Sequence, residues 1–165
     1  MKLITVLAPL IATGAALSIQ TPLLAVDDKL AVPGNNTLYF CSDPSNYTLN
    51  VTRIDFDPRS PKKGETLHVE TQGILRHPIV DGAKVQLTVK LQIGSALIPV
   101  YHQTIDVCEG EDDECPIKKG SITLTKDVEL PGAIPNGKYA VNIDAKNGDD
   151  EESELLCLNT VLTFG

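Results

Sequence analysis

The chain has 165 residues, 42% hydrophobic and 22% charged, which suits one globular domain and leaves little for a second. Lys+Arg total 14 against 22 Asp+Glu, a formal net charge of -8 with no basic cluster to offset it, so a groove tracking nucleic-acid phosphates is not expected. Aromatics make up 4% and Trp is absent, which leaves the core to Val, Ile, Leu and Ala and makes base- or sugar-stacking platforms scarce.

At the N-terminus Lys2 precedes the apolar run 3–12 and the small residues 13–18, the pattern of a secretory signal peptide over 1–18. A membrane anchor is the rival, because no charge appears between Lys2 and Asp27. Pro9, Gly14, Gln20 and Pro22, however, interrupt the span of about 20 residues it would need. Cleavage after Ala16, Ser18 or Ala25 fits equally. An extension over 19–37 then leads into a folded domain over 38–165. Export agrees with the Asn-x-Ser/Thr acceptors Asn35, Asn46 and Asn50, and with an even count of 4 cysteines. Cys108 with Cys115 is the easiest local closure, since the charged, turn-forming segment 109–114 lies between them, and Cys41 with Cys157 then ties the ends of the domain together. No CxxC and no nearby His point to a metal site.

The hydrophobic period is two. It predicts strands over 49–56, 66–75, 83–93, 96–101, 101–107, 121–130, 138–145 and 155–164, and it is cleanest in 83–93, where every odd position is apolar and every even one polar. Gly94-Ser95 suits a type II′ hairpin turn; Pro58 to Gly64, Asp81-Gly82, Pro131-Gly132, Asn136-Gly137 and Asn147-Gly148-Asp149-Asp150 separate the other runs. About seven short strands without an amphipathic helix predict an all-β, two-sheet antiparallel sandwich, with an eight-stranded barrel as the alternative. The Cys and Trp arrangement of the immunoglobulin domain proper is absent.

Catalysis finds little support, and no enzyme activity or cofactor is expected. His68, His77 and His102 are scattered, and no GxSxG, HExxH or phosphate-cradling glycine loop occurs. His102 and Asp106 share a strand face by spacing, an ordinary surface pairing. Nothing fixes the separation of the carboxylates Asp55, Asp57 and Glu70 that a glycosidase would need. The acidic run 109–114 lacks the ligand spacing of a calcium loop and reads as a solvated turn.

In order along the chain come Cys41, Pro61-Lys62-Lys63-Gly64-Glu65-Thr66-Leu67, Gly73-Ile74-Leu75, Asp81-Gly82-Ala83-Lys84-Val85, Ile98-Pro99-Val100-Tyr101 and Asp106-Val107-Cys108. Cys115-Pro116-Ile117-Lys118-Lys119-Gly120, Leu130-Pro131, Ile134-Pro135-Asn136-Gly137-Lys138-Tyr139 and Leu156-Cys157-Leu158 follow. This series, from Cys41 to Phe164, resembles the ML lipid-recognition family, and within it the fungal phosphatidylglycerol/phosphatidylinositol transfer branch, related to the Niemann-Pick type C2 sterol binders. The resemblance implies an immunoglobulin-like sandwich splayed around an apolar slot for one lipid, and the same two disulfides. It places the slot entrance beside Pro99-Val100-Tyr101 and Pro116-Ile117. The animal sterol carriers have a further disulfide loop where this chain has 57–61 without cysteine, which weakens an assignment to cholesterol in particular.

The expectation is therefore a monomeric carrier of a phospholipid or sterol, in the secretory pathway and its vacuolar, lysosomal or extracellular destinations, making transient membrane contact. Val89 and Leu91 line the slot by alternation, Pro99, Val100, Tyr101 and Ile117 by resemblance, and Val141 and Ile143 from a second alternating strand; Lys118 and Lys119 dock on membranes. The even positions Lys84, Gln86, Lys90 and Gln92 face away. The alternative is a secreted, glycosylated recognition or adhesion module with a filled core, because alternation alone cannot distinguish a filled sandwich from a hollow one.

Overall fold

Period-two alternation becomes ladder wherever two such runs can pair, and turn chemistry decides which runs meet first. A computed structural model describes residues 30–109, 114–148 and 153–165. The expected signal peptide, most of the acidic run and the second half of the Asn147 turn lie outside the described residues. The strands are β1 (Tyr39–Phe40), β2 (Leu49–Asp57), β3 (Thr66–Leu75), β4 (Lys84–Ile93), β5 (Ala96–Asp106), β6 (Gly120–Glu129), β7 (Gly137–Lys146) and β8 (Glu154–Phe164). The expected runs 96–101 and 101–107 are one strand, and β1 is an eighth, too short to show a period. Among the described residues no helix is long and apolar enough to cross a membrane.

All ladders between strands are antiparallel and form two sheets, a five-stranded one ordered β1-β8-β7-β4-β5 and a three-stranded one ordered β2-β3-β6. No ladder joins the sheets among the described strands, so the architecture is a sandwich and the barrel alternative fails. The β4–β5 hairpin turns at Gly94, whose φ of +60° is followed by no positive φ at Ser95, as a type II′ turn requires.

The expected extension over 19–37 is not separate throughout, because residues 30–37 are part of the fold. Ile54 and Phe56 donate their backbone N–H groups to Pro33 and Asn35 carbonyls, both at 2.8 Å, so this segment straps the free edge of β2. Asn36 clamps it: its buried amide donates to the Ile54 carbonyl at 2.7 Å and accepts from the Leu38 N–H at 2.8 Å. Gly34 makes the close approach possible, since a Cβ there would stand 2.0 Å from the Ile54 carbonyl oxygen. The strap runs into β1, at the edge of the larger sheet, and so closes that side of the sandwich.

The main core lies between β1, β8, β2 and β3, with Phe40, Leu49, Ile54, Leu75 and Leu156 among its buried members. Cys41–Cys157 and Cys108–Cys115 are both bonded, at Cα separations of 5.4 and 5.5 Å. The first joins the residue just after β1 to β8; the second closes the connection from β5 into β6.

Candidate functional site

With the strap closing the β1 and β2 edges, the opposite edges, β5 of one sheet and β6 of the other, bound the remaining side. Register identifies their inner faces. Val85, Ile143 and Ala145 pack in or against the core, and Leu87, Val89, Leu91, Tyr139 and Val141 share that face. On β5, Ile105, Gln103, Tyr101 and Ile98 pair with Val85, Leu87, Val89 and Leu91. On the smaller sheet, Ile122, Leu124 and Val128 pair with Gly73, Thr71 and Leu67.

Burial falls steeply across these faces. Ile54 and Leu75 are each 2% exposed, whereas Ile98 is 45%, Tyr101 49%, Ile105 46%, Leu124 49% and Val128 39% exposed. Leu87, Val89, Leu91, Val141 and Ile143 lie between, half-buried. Tyr139 and Phe164 are buried against each other edge to face, at 5.7 Å between ring centroids, outside the main core. The inner faces are thus apolar and solvent-accessible along the β5 and β6 edges, which marks that side as the candidate cleft.

Five of the eight expected slot residues, Val89, Leu91, Tyr101, Val141 and Ile143, share this one face by register. Pro99 does not: a bulge opposite Val89/Lys90 pairs it with Lys90, in the phase of the outer face, and Val100 is the extra residue. Ile117 bridges to Ile79 and packs against the core. Lys118 and Lys119 are exposed just before β6. Lys84, Gln86, Lys90 and Gln92 pair on the outer face. Of the glycosylation acceptors, Asn46 is exposed, Asn50 is half-buried, and the exposed Asn35 spends its amide on the Phe56 carbonyl at 3.1 Å. Sequence reasoning missed Ile98, Gln103, Ile105, Leu124 and Val128, although their alternation was readable once β5 and β6 were known to be the open edges.

The polar and titratable groups lie mostly outside the cleft. Tyr101 Oη donates to Gln103 Oε1 at 2.7 Å within it. His68 meets Asp127 at 2.6 Å, and His102 meets Thr88 at 3.1 Å; both pairs sit on outer faces, and His102 makes no contact with Asp106. Asp55 is paired with Arg53, whose guanidinium, followed by the Asn35 N–H at 2.7 Å, holds this carboxyl below the usual range; the same contact raises Arg53. Asp57 and His68 border a shallow, open depression of about 490 Å³ with Pro58, Ser60, Lys62, Glu65 and Thr66. Asp81 lies near the sulfurs of Cys108 and Cys115, but these are bonded to each other and offer no thiolate to a metal.

Comparison with known proteins matches the geometry. The ML domain family model matches residues 35–164. Phosphatidylglycerol/phosphatidylinositol transfer proteins of Aspergillus oryzae and Aspergillus fumigatus are 40% and 39% identical to the chain, covering 96% and 93% of it and 90% and 87% of their own lengths. Among solved structures, a Niemann-Pick type C2 protein from the Japanese carpenter ant superposes with a TM-score of 0.55 at 15% identity, covering 78% of this chain and 98% of its own. Chicken MD-1, solved in complex with lipid IVa, superposes with a TM-score of 0.50 at 19% identity, covering 76% and 88%. These likenesses give the immunoglobulin-like sandwich. With a family model spanning most of the sequence and relatives near 40% identity over almost all of it, the chain belongs to the ML domain family.

Proposed function

We propose that this protein takes up one lipid between its sheets and carries it between membranes, the role its fungal relatives are named for. The supporting observation is the row of inner-face residues Ile98, Tyr101, Ile105, Leu124 and Val128, which stand 39% to 49% exposed at the cleft and which a filled sandwich would bury. Placing a free acyl chain of about sixteen carbons in water costs on the order of 12 kcal/mol, at roughly 0.8 kcal/mol per CH₂. A cleft that replaces bilayer contacts with side-chain contacts lowers that barrier, and the work needs no catalytic group. Val89, Leu91, Tyr101, Val141 and Ile143 form the floor and wall on the larger sheet. Val100 stands on the edge strand beside the opening, and Ile117 packs against the core. Pro99 stands in an edge strand, where proline is tolerated and discourages pairing with another chain.

The protein acts as a monomer in the secretory pathway, in a vacuolar or lysosomal lumen or outside the cell, a setting supported by its two disulfides and its acceptor sites. Lys118 and Lys119 give local attraction to anionic bilayers despite the acidic net charge. Organic extraction of the purified protein followed by mass spectrometry tests the reading, together with transfer of a fluorescent phospholipid between vesicles. Stoichiometric lipid and accelerated transfer, slowed by Lys118→Glu/Lys119→Glu on anionic vesicles, are expected. Lipid-free protein that takes up neither phospholipid nor sterol refutes it.

A further inference from the structure

The inner face of β6 carries one residue out of keeping with its row. Alternation places Ile122, Leu124, Lys126 and Val128 on the face whose partners on β3 are Gly73, Thr71, Val69 and Leu67, and Leu67, Val69 and Ile122 pack in or against the core. Lys126 is therefore a cation within an apolar stripe. The other basic residues in strands, Arg53, Lys84, Lys90, Lys138 and Lys146, are all in the phase of an outer face. Lys126 is exposed, and the ion pairs among the described residues, Arg53–Asp55 and His68–Asp127, do not include it. Its chain neighbour Asp127 belongs to the outer face, where His68 engages it.

A lysine in such a place covers apolar surface with its stem and keeps its ammonium at the water boundary. That boundary is where a lipid with its acyl chains in the cleft leaves its headgroup. From the other sheet, Gln103 also lies on the inner face, opposite Leu87, and accepts the Tyr101 hydroxyl through Oε1, which leaves its Nε2 donors available. The cleft thus offers, on its two edge strands, a cation and an amide donor and no carboxylate on those inner faces.

We infer that Lys126 receives the phosphate of an anionic glycerophospholipid, so that the cargo is selected by headgroup charge; this rests on the carrier reading above. A sterol hydroxyl has no use for a cation, and a choline headgroup brings its own cation to compete for the phosphate. The rival role for Lys126 is an inward charge that keeps the β6 edge from pairing with another chain. Charge reversal separates the two, because glutamate protects an edge as well as lysine does but repels phosphate.

The test uses the purified full chain and vesicles carrying fluorescent phosphatidylglycerol or fluorescent diacylglycerol of the same acyl chains. Lys126→Glu is expected to lower the ratio of phosphatidylglycerol to diacylglycerol uptake by about tenfold or more, the worth of one charge-assisted hydrogen bond, and Lys126→Arg to retain it. Excess inorganic phosphate is expected not to displace the bound lipid. An unchanged ratio in Lys126→Glu overturns the inference, as does equal loss of both lipids, or displacement by inorganic phosphate, which would assign the position to a free anion. Association of Lys126→Ala without a change in ratio would overturn it in favour of edge protection. Uptake of neither lipid by the wild type refutes the carrier reading itself.

Discussion

Val141 offers the sharpest test of a hollow cleft against a filled core. It sits in the middle of β7, paired with Val89 on one side and Thr160 on the other, half-buried on the inner face. In a filled sandwich Val141→Trp overpacks, and the lipid-free protein loses about 1 to 3 kcal/mol. In an open cleft the ring has room, and stability stays within about 0.5 kcal/mol or rises. The cost falls on the ligand instead. An indole buries roughly 100 Å² more than valine, the area of about three to four methylenes, so acyl contacts worth about 2.5 to 3 kcal/mol are displaced. Lipid affinity then falls by roughly a hundredfold. Urea unfolding of delipidated protein reads the first quantity, and titration with a fluorescent phosphatidylglycerol the second. Leu75→Ala serves as the opposite control: its side chain is 2% exposed in the core, so it costs about 2 to 5 kcal/mol of stability. A Val141→Trp protein that is destabilised by 2 kcal/mol or more and takes up lipid normally would refute the open cleft.

Three further outcomes concern what holds the sandwich together. Asn36→Ala strands the Ile54 carbonyl and the Leu38 N–H, and should cost roughly 2 to 6 kcal/mol by denaturant unfolding; a loss under about 1 kcal/mol would show that the strap holds without its clamp. Chain entropy gives about 5 kcal/mol for the Cys41–Cys157 bridge, 116 residues apart, and about 2 kcal/mol for Cys108–Cys115, 7 apart, so the double serine variant of the first pair should be the less stable. Asp55 has its pKa lowered in the folded state by Arg53 and the Asn35 N–H, so its contribution is complete above the ordinary carboxylate pKa of about 4 and is lost as pH falls through the lowered native value. Asp55→Asn should flatten the stability profile in that acid window and leave its slope near neutrality unchanged; an identical acid slope in both proteins would remove Asp55 as an anchor.

The sequence by itself determined most of the strands, though it divided β5 into two runs, because runs such as 83–93 alternate strongly enough to have one buried face, and it determined the β4–β5 turn, because Gly94 can take the left-handed conformation a type II′ turn requires. It also determined the disulfides, whose spacing allows one short loop and one long tie. The two-residue strand β1 and the strap over 30–37 were not legible: a segment so short has no period, and its hydrogen bonds go to a strand some twenty residues away. Only the tertiary structure decided which apolar faces stay open. Alternation states that Val89 and Leu91 point inward, but whether an inward side chain meets a neighbour depends on how far away the opposite sheet stands, and that distance is set by which edges are closed. The strap closes β1 against β2, whereas β5 and β6 share no ladder and are tied only at one end, by Cys108–Cys115, among the described residues. The same pattern of residues therefore makes a core on one side and a cleft on the other. The bulge that turns Pro99 outward, and the phase that leaves Lys126 among apolar neighbours on the open edge, acquire meaning only from that asymmetry.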